Sequence, residues 1–223
     1  MPASETVLLF HGLGRTAWSM RRLADRLRRE GYRAINVDYP SRSAPIASLA
    51  DDVVGARVER ALDEGARRVH FVTHSLGGIL VRHWTERHPP PEGARAVMIA
   101  PPHGGSEAAD WARRVGPFCW WCGPALQELG TDPESVPAAL GPLAIETGVI
   151  AGSRNRYPFF GRLFDGTTDG LVAVERARAE GIADFLVVPH GHTFLMRAPA
   201  VLDQTVHFLQ HGRFAPPDGP VAP

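Results

Sequence analysis

The chain has 223 residues, 44% hydrophobic and 22% charged, which is enough for one α/β domain with a sizeable core. Its 24 basic and 24 acidic residues cancel, so it lacks the basic footprint of a nucleic-acid binder. Every basic residue is arginine, which excludes a lysine nucleophile or Schiff base.

In chain order, Met1 to Glu5 lead straight into an apolar run, Thr6–Phe10, with no basic segment followed by a long apolar one. No run approaches the roughly 20 residues of a membrane span, and the expectation is a cytoplasmic protein without a transmembrane segment. Thr6–Phe10 is the first of six short, nearly continuous apolar runs. The others are Ala34–Val37, Val69–Val72, Ala96–Ala100, Val149–Ala151 and Phe185–Val188. Such runs read as strands buried on both faces. Helices are predicted over Thr16–Glu30, with Trp18, Leu23 and Leu27 on one side, and over Ile46–Glu64, Leu76–His88 and Ala200–Gln210. Strands alternating with helices imply βαβ units, a mostly parallel sheet of about six strands and helices on both faces.

One region breaks the alternation. Residues 104–145 are rich in Pro, Gly and Trp, with a weak helical stretch near Ala108–Val115. This insertion either borders the functional site as a cap or is a surface excursion. Within it, Cys119-Trp120-Trp121-Cys122 has the C-x-x-C spacing. No second cysteine pair exists to complete a zinc site, and the aromatic setting favours an apolar patch over redox chemistry. The domain is expected over 1–215, and the Pro-rich 216–223 reads as a disordered tail.

The chemistry centres on Thr73-His74-Ser75-Leu76-Gly77, between a strand and a helix. Strand, sharp turn and helix with a serine at the apex is the layout of a nucleophile elbow. The turn exposes the hydroxyl and aims the next N–H, that of Leu76, at a developing oxyanion. Thr73 stands where a glycine is usual, at a strand-like position that tolerates it. The plainer alternative for Ser75 is a helix N-cap. A serine needs a base to take its proton and a carboxylate to hold that base. Downstream the chain offers Asp169 in Thr168-Asp169-Gly170-Leu171 and His192 in His190-Gly191-His192. Asp165 is the alternative acid and His190 the alternative base, and Asp169-Gly170 can also be read as a turn signal.

With His11-Gly12-Leu13-Gly14 after the first strand and Ala100-Pro101-Pro102-His103 after the fourth, these motifs resemble the α/β-hydrolase superfamily. The likeness is to its small bacterial lipase and esterase branch, over about residues 5–212. It implies a single-domain, minimal α/β-hydrolase fold. It also implies a triad of Ser75, His192 and Asp169, and an oxyanion hole from the N–H groups of Leu13 and Leu76. His11, His74, His103, Trp120 and Trp121 are the expected lining residues, with His11 also read as a buttress of the loop after the first strand. The implied substrate is a small-molecule carboxylic ester or lipid, with no metal or organic cofactor and no nucleic-acid partner. A thioesterase, amidase or acyltransferase would use the same triad. A non-catalytic acyl-ligand binding protein is the alternative of another class.

Overall fold

All six apolar runs of the sequence become strands of one sheet, and all six are parallel. The computed structural model describes residues 5–157 and 162–216, apart from the side chains of Phe118 and Cys119. The tail expected from 216 onward lies, beyond Pro216, outside the described residues. The strands are β1 (Glu5–Phe10), β2 (Arg33–Val37), β3 (Arg68–His74), β4 (Arg95–Ile99), β5 (Glu146–Gly152) and β6 (Ile182–Val188). The helices are α1 (Arg21–Arg29), α2 (Ile46–Leu49), α3 (Ala56–Asp63), α4 (Leu76–Arg87), α5 (Glu107–Arg114), α6 (Gly116–Cys122), α7 (Pro124–Gln127), α8 (Val136–Ala139) and α9 (Pro199–His211).

Spatial order is β2-β1-β3-β4-β5-β6. The chain steps from β1 outward to β2, then returns to lay β3 on the other side of β1. The loops after β1 and β3 therefore leave the sheet in opposite directions and open a crevice at the carboxyl ends of the strands, where ligands of α/β sheets bind. Register brings Phe10 opposite Thr73, so the His11–Gly14 loop runs beside Ser75.

Alternation along β1 supplies both cores. Leu8 and Phe10 pack with α2, α3 and α4 on one face, while Val7 and Leu9 pack with α1 and α9 on the other. Both cores consist largely of fully buried side chains, among them Leu23 and Leu27 of α1 and Phe208 of α9.

Two helix predictions need correcting. The segment expected as one helix from Thr16 begins with a 3-10 turn, Ala17–Met20, and becomes α-helical only at Arg21. Its tighter winding changes the phase of the following face. Met20 enters the core instead of Trp18, which is 64% exposed beneath the guanidinium of Arg197. The Ile46–Glu64 prediction holds in extent, but a π-helical segment, Ala50–Gly55, separates α2 from α3. β4 also ends one residue early, because Ala100 has φ 49°.

Candidate active site

Ser75 sits between β3 and α4 with φ 53° and ψ −121°. A non-glycine residue at positive φ is strained by about 1–3 kcal/mol and persists only where its surroundings impose it. Here the Ser75 N–H donates to Ile99 O at 2.9 Å, and Gly78 N–H donates to Ser75 O at 2.9 Å. Close packing adds to the constraint. A Cβ on Gly77 would lie 2.7 Å from Phe10 O, and one on Gly12 would lie 2.9 Å from His74 Nδ1 and 3.2 Å from Ser75 Cβ. Only glycine allows the β1 loop and the serine turn to approach so closely. Thr73 fits because its side chain is buried in the strand rather than in the turn.

His192 opens a 3-10 turn, His192–Arg197, four residues beyond the end of β6 at Val188. Its Nδ1 lies 2.7 Å from Asp169 Oδ2, with both side chains buried. A carboxylate only accepts, so Nδ1 carries the proton and Nε2 is left as the basic nitrogen. Asp169 Oδ1 in turn accepts the N–H groups of Leu171 (3.0 Å) and Val172 (2.8 Å). The His192 N–H donates to Asp169 O at 3.0 Å, so the two loops are joined through backbone as well as side chains. The alternatives sit elsewhere. Asp165 is exposed, and His190 faces a separate pocket with Tyr157 and Phe194.

Ser75 and His192 line one cavity of about 250 Å³. Its walls are mostly apolar: Leu13 from the β1 loop, Leu171 and Val172 from the acid loop, and Ala108, Ala109, Trp111, Trp121, Cys122, Leu126 and Leu129 from residues 104–145. That segment is tied down at both ends. Ser106 caps α5 by accepting Ala109 N–H and donates its own hydroxyl to Leu171 O at 2.6 Å, next to Asp169. At the other end Arg82, buried on α4, donates to Leu140 O (2.7 Å), Gly141 O (2.8 Å) and His103 O (3.1 Å).

The remaining residues expected at the site divide into two groups. Leu13 lines the cavity, and Leu76 directly follows Ser75 as the first residue of α4, whose leading N–H groups have no partner within the helix. Among the hydrogen bonds of the described residues, none uses the N–H of either. His74 lines the cavity, donates Nε2–H to His192 O at 3.1 Å and packs its ring 4.8 Å from that of His192. Burial, reinforced by the neighbouring His192, pushes its pKa well below the ordinary histidine value, so it is neutral. Trp121 also lines the cavity, half exposed, under the guanidinium of Arg42.

Three expected lining residues are not at the cavity wall. His11 is fully buried behind the loop, stacked on Tyr39 at 4.1 Å, and donates Nδ1–H to Gly12 O at 2.9 Å. Burial holds its pKa below the usual value. His103 is buried against Arg82, and burial together with that cation pushes its pKa down to about 3. Trp120 is 85% exposed and points into an adjoining groove instead. The place of His11 beneath the loop agrees with its reading as a buttress, but for His103 and Trp120 the motifs could not tell buried or outlying side chains from those that line the cavity. Motif reading also passed over Arg15 and Arg42, which border the cavity; their one legible signal was the place of Arg15 directly after the glycine loop.

Cys122 is buried in the cavity wall, whereas the side chain of Cys119 lies outside the described residues. Among the described residues no group of three or more His, Cys, Asp or Glu side chains is placed to hold a metal ion. No helix among them is long and apolar enough to cross a membrane.

A parallel α/β sheet with a strained serine at a strand–helix turn and a histidine–carboxylate pair at the neighbouring strand ends defines a class of enzyme scaffold. Residues 7–217 match the family model described as Alpha/beta hydrolase family, and the chain belongs to that family. Solved structures with the same fold include the lipase BlEst2 of Bacillus licheniformis in its mature form. It has TM-score 0.75 and 18% identity over 95% of this chain and 93% of that one. The metagenomic carboxyl esterase MGS0156 has TM-score 0.73 and 21% identity, covering 94% and 76%. Phospholipase PlaB from Legionella pneumophila has TM-score 0.67 and 17% identity over 93% of this chain but only 58% of its own. At these identities the likeness is one of fold. No curated protein sequence matches the chain.

Proposed function

We propose that the chain is a serine hydrolase that cleaves carboxylic esters through an acyl-enzyme. The observation that carries this reading is the 2.7 Å bond from His192 to Asp169, directed so that Nε2 is the basic nitrogen in a cavity shared with Ser75. Ser75 Oγ attacks the ester carbonyl while His192 takes its proton, and Asp169 fixes the imidazole and stabilises the imidazolium. The negative charge on the former carbonyl oxygen is held by the N–H groups of Leu13 and Leu76. His192 returns the proton to the departing alcohol. Water then repeats the sequence on the acyl-enzyme and frees the acid.

The apolar wall supports an apolar acyl part. The fold shared with a lipase, a carboxyl esterase and a phospholipase supports the choice of ester over amide. A series of p-nitrophenyl esters from acetate to palmitate, beside a thioester and an anilide, tests the reading. Esters should turn over fastest, and Ser75→Ala should remove that activity. A chain that cleaves the anilide or thioester but leaves every ester intact would sink it.

A further inference from the structure

The cavity that holds Ser75 opens into a second, wider groove of about 730 Å³, and the two share Gly14, Arg15, Arg42 and Trp121. One side of the reaction cavity is thus an apolar chamber, and the other leads past two arginines. Arg15 is half buried, and among the described residues its contacts are Thr193 O, which accepts Nη2–H at 3.0 Å, the ring of Phe194 at 5.9 Å and a weaker electrostatic interaction with Tyr157. Arg42 lies over the Trp121 ring at 4.5 Å and donates one N–H to Trp121 O at 3.4 Å. Arg197, 5.3 Å from the same Phe194 ring, adds a third positive charge behind Arg15. None of the three guanidiniums has a carboxylate in ion-pair contact among the described residues.

A guanidinium carries five N–H donors, and beyond these bonds the donors of Arg15 and of the exposed Arg42 have no protein acceptor among the described residues. Taking a cation partly out of water without a counter-charge is unfavourable. Burial and Arg197 both work against the charge on Arg15, a cost that a bound anion would remove. The chain as a whole carries no net charge, so this local excess is not a bulk property. Among the described residues Asp38 is the one carboxylate lining the groove. It accepts Ala17 N–H at 2.8 Å and approaches His11 Nε2 to 3.7 Å, and with its side chain 70% exposed it is screened by water.

We infer that the groove is an anion subsite, in which Arg15 and Arg42 hold a phosphate group carried by the alcohol half of the substrate. The inference rests on the ester-hydrolase reading for its orientation. The acyl chain fills the chamber under α5–α7, the carbonyl meets Ser75, and the leaving alcohol projects past the arginines. Two forks of parallel donors match the oxygens of a phosphate. The substrate class is therefore an acyl ester of a phosphorylated alcohol.

The test uses a matched pair, 1-octanoylglycerol 3-phosphate and 1-octanoylglycerol, at concentrations where both are monomeric. Hydrolysis by the intact chain should favour the phosphorylated ester. Arg15→Gln and Arg42→Gln should each lower the ratio of kcat/KM between the two esters by about 10- to 100-fold, the range a charge-assisted hydrogen bond supplies. Arg15→Lys should restore part of the ratio, and 0.5 M NaCl should shrink it. Calorimetry on the Ser75→Ala chain gives a readout without turnover: it should bind the phosphorylated ester more tightly than the neutral one, and Arg42→Gln should erase the difference. Ratios unchanged in both glutamine variants, or equal binding of the two ligands, would overturn the subsite while leaving the ester-hydrolase reading intact. Arginine-dependent binding without hydrolysis of either ester would do the reverse. Inorganic phosphate and glycerol 3-phosphate are titrated alone as a further arm. Binding as tight as that of the acylated ligand would make the groove a free-anion site and would also overturn the substrate assignment.

Discussion

At the level of single residues, backbone strain sits at the ends of β3 and β4, on Ser75 and Ala100, and the histidine–carboxylate pair stands on the loops that follow β5 and β6. Ser75 keeps its positive φ because the N–H to Ile99 O bond and the packing of Gly77 and Gly12 leave no room to relax. Its proposed partners were legible because serine, acid and base follow one another in the chain in the order this fold imposes. The alternatives were not separable on sequence, since Asp165 and His190 lie within a few residues of Asp169 and His192. Burial separates them: Asp169 is buried with two backbone N–H groups on one oxygen, whereas Asp165 is exposed. His192→Ala and Asp169→Asn should each lower kcat by roughly four orders of magnitude on p-nitrophenyl butyrate, whereas His190→Ala should stay within a fewfold of the parent. If the effects of His190 and His192 are exchanged, the base is misassigned. His74 is proposed to position His192, since its Nε2–H donates to His192 O. His74→Phe keeps the ring but loses the donor. It should lower kcat at least tenfold with little change in KM, and His74→Asn should recover part of the loss. A fall in KM-related binding alone would point instead to a lining role.

The elements explain how the cavity acquires its two different sides. Strands of continuous apolar residues were easy to recognise, because burial on both faces leaves no other composition. Helices α5 to α8 were less legible. Their segments are short and interrupted by Gly116, Gly123 and Pro124, and apolar residues of α5 to α7 face a cavity rather than a flat sheet. The misplacement of Trp18 came from applying an α-helical period to a turn wound as a 3-10 helix. On α6, Trp121 lines the cavity and its neighbour Trp120 does not. Trp121→Ala should therefore shift the preferred acyl length by two or more carbons in the p-nitrophenyl series, whereas Trp120→Ala should leave the profile unchanged. Parallel losses on every chain length, tracking a lower melting temperature, would mean that Trp121 serves only to pack the insertion. The loop after β1 offers a separate test. Leu13→Pro removes the N–H proposed for the oxyanion and should cost about 2.7–4 kcal/mol of transition-state stabilisation, while Leu13→Ala keeps it and should cost far less. Equal kcat/KM in the two variants would place the second donor elsewhere.

Across the whole molecule, one sheet fixes both the location of the site and its sensitivity to acid. The order β2-β1-β3 opens the crevice, and histidines buried around it are held neutral. The sign of the pH effect follows from their depressed pKa values. Unfolded, His103 takes up a proton below its ordinary value of 6.5; folded, it does so only near 3. Protons therefore favour the unfolded chain throughout that window, and stability is complete above pH 6.5 and declines toward pH 3. His103 alone should cost about 2 kcal/mol of unfolding free energy between pH 7.5 and pH 5. Urea unfolding at the two pH values should show His103→Asn losing less stability on acidification than the parent. An identical acid loss in both would assign the sensitivity to other groups. None of this coupling was visible in the sequence, where His103 is one of ten histidines and nothing marks Arg82 as its buried neighbour. The proposed chemistry stands on one nucleophile, and the most direct measurement is mass mapping of the chain after reaction with a fluorophosphonate. The adduct should fall on the peptide containing Ser75 and be absent from Ser75→Ala. An adduct on another serine, or ester hydrolysis that continues unlabelled in Ser75→Ala, would contradict it.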